Sequence, residues 1–210
     1  MSVSSRHRTA AKSRRPVTIP LMVPRRSGLR ASPEAFWRLC AANRDMRLER
    51  TARGEVIVMA PAGTDSGLRN CGLSALVWNW NRASGLGYAF DSSAGFTLPN
   101  GAVRGPDATW IARDRWDAVP SEARKKFAPI CPDFVVELTS PSDTLSDVQE
   151  KMREYLAQGA RLGWLLDPPT GRVEVYRPGR EVEALDRPAT LSGEGVLPGF
   201  VLDLKGIVFD

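Results

Sequence analysis

The chain has 210 residues, 42% hydrophobic and 25% charged, a composition that suits one globular domain with a sizeable core. Its net charge of +5 is local in origin: eight of the 29 basic residues and no acidic one fall in residues 1–30, which leaves 21 basic against 24 acidic groups elsewhere. Apolar runs such as Val56–Ala60 are far too short to span a bilayer, and three scattered cysteines (Cys40, Cys71, Cys131) without a CxxC exclude a disulfide framework or zinc knuckle and suit reduced thiols in the cytoplasm.

Residues 1–30 are expected to form a basic, flexible tail ahead of a domain over 31–210. A solvated leader, a phosphate-binding arm and a transit peptide all fit this tail. No apolar segment followed by a small-residue cleavage site marks a secretory signal. Ser32 before Pro33 and Glu34 is an N-cap with proline at the first helical position, so a helix is predicted to about Asn43. Strands follow over Met46–Arg50 and Glu55–Ala60, turned at Arg53-Gly54 and ended by Pro61. A loop over 62–67 leads into a second helix to about Arg82, with Leu73, Leu76, Val77 and Trp80 on its inner stripe. Gly85 and Gly87 form a GxG, but no strand precedes it, so it reads as a helix stop and not a nucleotide loop.

Further strands are predicted over Tyr88–Asp91, Phe96–Pro99, Asp107–Ala112 and Asp133–Thr139. Ser140–Asp143 breaks the chain. A helix over about Ser146–Gln158 buries Val148, Met152, Tyr155 and Leu156 and is stopped by Gly159. Gly163–Asp167 and Arg172–Arg177 form a hairpin around Pro168–Gly171. Short strands close the chain, with Leu191, Val196, Phe200, Val201 and Leu202 as their apolar positions. There is no internal repeat and no interdomain linker. The fold class is α/β (α+β), a mixed sheet with helices packed against it.

The only histidine is His7, in the tail. Ser-His-Asp hydrolysis, Cys-His chemistry and most zinc hydrolases need a placed imidazole. Catalysis here has to run on carboxylates and lysine, with or without a bound metal. Buried strands carry carboxylates only for a reason. Glu137 lies inside the apolar run Phe134–Leu138, and Asp107 opens the strand after Pro106. Two acids at neighbouring strand ends can share a hard divalent cation, and a lysine beside them would neutralise developing charge. Lys151 is the candidate. It lies four residues after Asp147 on one helix face, with Glu154 nearby and Tyr155 four residues further on. Each feature has a plainer reading: a turn at Pro106-Asp107, a solvated Asp147–Lys151 pair, a buried ion-pair partner in Glu137. Asp133 shares a face with Glu137, but four residues of strand span roughly 13 Å, too far to share one metal.

Taken in order, Gly105-Pro106-Asp107, then Pro132-Asp133-Phe134-Val135-Val136-Glu137-Leu138-Thr139-Ser140-Pro141-Ser142, then Asp147-x3-Lys151-x3-Tyr155-x3-Gly159, then Gly163-Trp164-Leu165-Leu166-Asp167-Pro168 resemble the Uma-two-type restriction endonucleases. These are a branch of the PD-(D/E)XK nuclease superfamily. Leu48-Glu49 and Gly54–Pro61 resemble that family's N-terminal hairpin, and the resemblance covers about residues 33–205. It implies a restriction-endonuclease-like core, DNA as partner, Mg2+ or Mn2+ as cofactor, and hydrolysis of phosphodiester bonds. Asp107 and Glu137 would be the two metal-binding acids, Lys151 the lysine and Glu49 the additional N-terminal acid. The superfamily lysine usually stands two residues after the second acid; Thr139 stands there, and the resemblance moves the role to Lys151. Relatives carry a histidine before the second helix where this chain has Asp65. A non-catalytic nucleic-acid-binding or regulatory module on the same fold is the alternative. Nucleases that cut both strands are often dimeric, so a homodimer is expected.

Overall fold

Ser32 opens the first helix as its sequence predicts: its hydroxyl oxygen accepts from the Ala35 N–H at 3.2 Å, and proline follows it at the first helical position. The computed structural model describes residues 26–141 and 143–209. The elements in order are β1 (Arg26–Arg30), α1 (Pro33–Ala42), β2 (Arg47–Arg50), β3 (Glu55–Met59), α2 (Thr64–Ser84), β4 (Gly87–Asp91), β5 (Phe96–Thr97), β6 (Val103–Arg104) and β7 (Ala108–Ala112). They continue with α3 (Arg113–Asp117), α4 (Ser121–Arg124), β8 (Phe134–Leu138), α5 (Leu145–Ala157), β9 (Leu162–Asp167), β10 (Arg172–Tyr176), β11 (Glu183–Asp186), β12 (Thr190–Ser192) and β13 (Val201–Asp203). Residues 1–25 of the expected tail lie outside the described residues. Its last five form β1, paired antiparallel with β3. No described helix is long and apolar enough to cross a membrane.

Two sheets carry the fold. The larger runs β11-β10-β9-β8-β7-β4, with β8 and β9 parallel and the other neighbours antiparallel. A parallel pair needs a crossover, and α5 supplies it between β8 and β9. The second sheet runs β1-β3-β2-β6-β5, and β12 pairs with β13 apart from both.

The alternation of side chains along β8 and β9 divides the core. Phe134, Val136 and Leu138, with Leu162, Trp164 and Leu166, pack toward Leu73 and Val77 of α2. Val135 and Leu165 point the other way, onto Val148, Met152 and Tyr155 of α5. Burying one such side chain fully contributes about 1.5–3 kcal/mol, so both faces of the central strands are committed to core. Glu137 shares the α5 face with Val135, and that places a carboxylate under a helix.

Gly85 ends α2 in the left-handed conformation (φ 65°), its N–H donating to the Asn81 carbonyl at 2.8 Å. This is the helix stop the sequence predicts. Gly87 has a different role. A Cβ there would collide with the Ile111 carbonyl and the Trp110 indole, so only glycine lets β4 lie against β7.

Candidate active site

Asp107 and Glu137 meet because of strand register. Ala108 pairs with Val136, so one step outward Asp107 faces Glu137 across the β7–β8 ladder. The Asp107 N–H donates to the Val136 carbonyl at 3.0 Å, and the Leu138 N–H donates to Asp107 Oδ2 at 2.9 Å. Two carboxylates directly opposite one another on a sheet repel, and both are largely buried, 9% and 6% exposed. Something positive has to accompany them.

The second sheet and α5 supply it. Alternation along β2 turns Arg47 and Glu49 to the face that looks onto the site, while Leu48 packs in the small core around Phe36. Lys151 and Tyr155, four residues apart on α5, project together over β8. Lys151 Nζ lies 2.8 Å from Glu49 Oε1 and 2.8 Å from Glu137 Oε1, so it bridges both acids. Its side chain is only 14% exposed, so the reading as a solvated helix pair does not hold. The Tyr155 hydroxyl donates to Glu137 Oε1 at 2.9 Å.

Arg104 ties Glu49 to α5, with Nη1 at 3.1 Å from Glu49 Oε2 and Nε at 2.6 Å from Glu154 Oε2. The Gly105 N–H also donates to Glu49, at 3.0 Å. Arg47 donates to the Gly105 carbonyl at 2.7 Å and reaches Asp107 Oδ1 at 3.4 Å, while Asn70 Nδ2 donates to the same oxygen at 3.0 Å.

These groups fix each other's charge. Burial pushes Glu137 up to about 7; Lys151 opposes the rise, and Asp107 and Glu49 reinforce it. Glu49 goes the other way. Burial would raise it, but Lys151 and Arg104 outweigh burial and hold it at about 2. Burial disfavours the Lys151 ammonium, yet Glu137 and Glu49 more than offset that and its pKa rises.

The network holds four acids (Glu49, Asp107, Glu137, Glu154) against three bases (Arg47, Arg104, Lys151), an excess of one negative charge. Among the described residues no three acid, imidazole or thiol side chains gather closely enough to hold an ion by themselves. A pair of carboxylates still fits a small hard cation, because Mg2+ commonly takes one or two carboxylates and keeps several waters. Burial first, and then the Asp107 and Glu49 carboxylates, raise Glu137, so a further cation beside it would favour its ionised form. Asp107 and Glu137 would hold such an ion.

All four residues predicted from sequence therefore converge. Asp133 does not join them: its carboxylate accepts from the Ala112 N–H at 2.9 Å and pairs with Arg115 at 2.8 Å, which makes it structural. The Thr139 hydroxyl donates to Asp167, tying the ends of β8 and β9 where the superfamily lysine usually stands. Sequence reasoning missed Arg47, Asn70 and Arg104. Only the alternation Arg47-Leu48-Glu49 carried a signal for the first.

The helix-flanked mixed sheet makes this an α+β protein with acids at adjacent strand ends. The chain belongs to the Uma2 family, described as "Putative restriction endonuclease", whose model matches residues 33–205. A crystal structure from Anabaena variabilis ATCC 29413, titled as a "putative nuclease belonging to DUF820", has the same fold. It is 22% identical with a TM-score of 0.64, over 77% of this chain and 89% of that one. A cryoEM DrdV-DNA complex matches 58% of this chain and 10% of its own, with 20% identity and a TM-score of 0.36. No curated protein matches the chain.

Proposed function

We propose that this protein is a metal-dependent endonuclease that hydrolyses phosphodiester bonds of DNA, using Mg2+ or Mn2+ in the cytoplasm. One observation supports this above the others: Asp107 and Glu137 face each other on adjacent strands while Lys151 bridges Glu137 to Glu49. A protein that only binds nucleic acid has no use for buried acids facing phosphate.

Asp107 and Glu137 hold the divalent ion, which when bound supplies Lewis-acid stabilisation of the charge that develops on the phosphate. The raised pKa of Lys151 keeps it an ammonium at neutral pH. It therefore neutralises charge and does not remove protons. Glu49, ionised at all ordinary pH values, anchors that ammonium from the second sheet. Tyr155 and Leu138 N–H fix the carboxylates of Glu137 and Asp107, so their geometry is set before substrate arrives. A homodimer would present one site to each strand of a duplex.

The second reading, a catalytically inactive nucleic-acid-binding or regulatory module, draws on one observation. Lys151 already occupies both Glu49 and Glu137, and among the described residues three ion-holding side chains do not gather. Incubation of supercoiled plasmid and single-stranded DNA with Mn2+ or Mg2+ separates the two. Cleavage that needs metal and is lost in Asp107→Ala and Lys151→Ala supports the nuclease. DNA affinity that depends on salt but not on metal, without cleavage in any protein, supports the module.

A further inference from the structure

A groove of about 880 Å³ opens beside Asp107. Arg47 and Asn70 join it to the site, since both donate to Asp107 Oδ1 and both line the groove. Its outer wall is α2, where Leu68, Cys71, Ala75 and Trp78 follow helical spacing on an exposed face. Trp78 is 50% exposed and lines the groove. Trp80, two residues on, is packed against Trp110 and Phe200 and donates to the Pro198 carbonyl. The helix thus packs one indole against the core and presents the other to the groove.

The groove's size and charge select an occupant. Its volume is that of a small-molecule site, so a duplex cannot enter it. Among the described residues its lining holds one cation, Arg47, and one acid, Asp91, with hydroxyls from Ser74, Ser92 and Ser93. A track for several phosphates would need several cations. An uncharged polar ring flanked by a single phosphate matches one exposed indole, a few hydroxyls and one guanidinium. Arg47 suits that phosphate, because its side chain lines the groove and is 36% exposed while its bonds to the Gly105 carbonyl and Asp107 hold it in place.

We propose that this groove takes an unpaired nucleotide of the substrate, its base stacked on Trp78 and its phosphate drawn to Arg47 beside Asp107. The preferred substrate is then a single strand, or a duplex frayed at the cut. The inference rests on the nuclease reading only for the fate of that phosphate.

The test is binding of a short single-stranded oligodeoxynucleotide carrying 2-aminopurine, and of a blunt duplex of the same sequence, in chelator. The proteins are wild type, Trp78→Ala, Trp78→Phe and Ala75→Glu, the last placing an acid in the groove from an exposed position. Wild type should quench the 2-aminopurine. Trp78→Ala and Ala75→Glu should lose about tenfold in single-strand affinity relative to duplex, the scale of one base–aromatic stack, and Trp78→Phe should keep most of it. Single-strand and duplex affinities that fall together, or do not fall, overturn the proposal. So does a dimer in sedimentation that Trp78→Ala dissolves while the oligonucleotide goes unbound, which would assign the α2 face to a second copy. Trp78-dependent quenching by a protein that cuts no DNA would remove the nuclease reading and leave the groove. Metal-dependent cutting without Trp78-dependent quenching would do the reverse.

Discussion

Replacing Lys151 with methionine removes the cation that lies 2.8 Å from both Glu49 and Glu137 while keeping much of its volume. Breaking a buried ion pair from one side costs about 3–5 kcal/mol. For a chain of this size each kcal/mol corresponds to about 2–4 °C, so metal-free Lys151→Met should melt roughly 6–20 °C below wild type at about pH 8. The deficit should depend on pH. Burial, and then Asp107 and Glu49, already raise Glu137 to about 7 against the pull of Lys151, and Glu49 owes its low value first to Lys151. Without the ammonium, the fold favours the protonated form of both acids more strongly. A carboxyl with a raised folded pKa contributes stability below its unfolded value and loses it as pH climbs through the folded one. The deficit should therefore shrink as pH falls from about 8 to about 5. Thermal melts of both proteins in chelator at the two pH values measure this. An equal deficit at both pH values, or none, would mean that Lys151 does not set the charge of Glu49 and Glu137.

Asp133→Ala should destabilise the fold by about 1–3 kcal/mol, read from denaturant melts, because it leaves the Ala112 N–H without its buried acceptor, while the Arg115 guanidinium it also frees is partly solvated. Mn2+ affinity by calorimetry should be unchanged in that variant. Gly87→Ala should cost about 1–3 kcal/mol or more, since its Cβ meets backbone at Ile111 and no flexible side chain end can give way. Burial pushes the Cys131 thiol up to about 12 against the pull of Arg115. Alkylation of native protein should mark exposed Cys71 and spare Cys131 until unfolding. Because the folded thiol's pKa is raised, its contribution to stability holds below about pH 9 and fades as pH rises toward 12.

The parts of this site that were legible in sequence are those that break a local rule. Glu137 interrupts an apolar strand, and Asp107 follows a proline at a strand opening, so each was visible without any neighbour. The helix carrying Lys151 was equally plain, but its charge partner was not. Asp147 lies four residues away and suggests a solvated pair, whereas the bridging acids lie on β2 and β8. Arg104 was hidden because β6 is only two residues long, within a glycine-rich loop, and shows no alternation to read. The strand Arg26–Arg30 looked like basic tail for the same reason: one apolar residue in five gives no period, and its pairing with β3 supplies the order. The helices α3 and α4, at five and four residues, are too short for a 3.6-residue pattern to register. What the sequence could not express is the convergence of the two sheets, which brings Arg47 to Asp107, 60 residues away, and Glu49 to Lys151 on α5.

Single-turnover cleavage of a labelled oligonucleotide shows whether these acids and Lys151 form a metal-dependent phosphodiesterase. Wild type and Glu137→Gln would be compared with Mn2+ and with chelator. Product should form only with metal, and Glu137→Gln should lose about a hundredfold or more in rate, the scale of removing one group from a preorganised charged site. Product formed in chelator, or equal rates in the two proteins, would contradict that role.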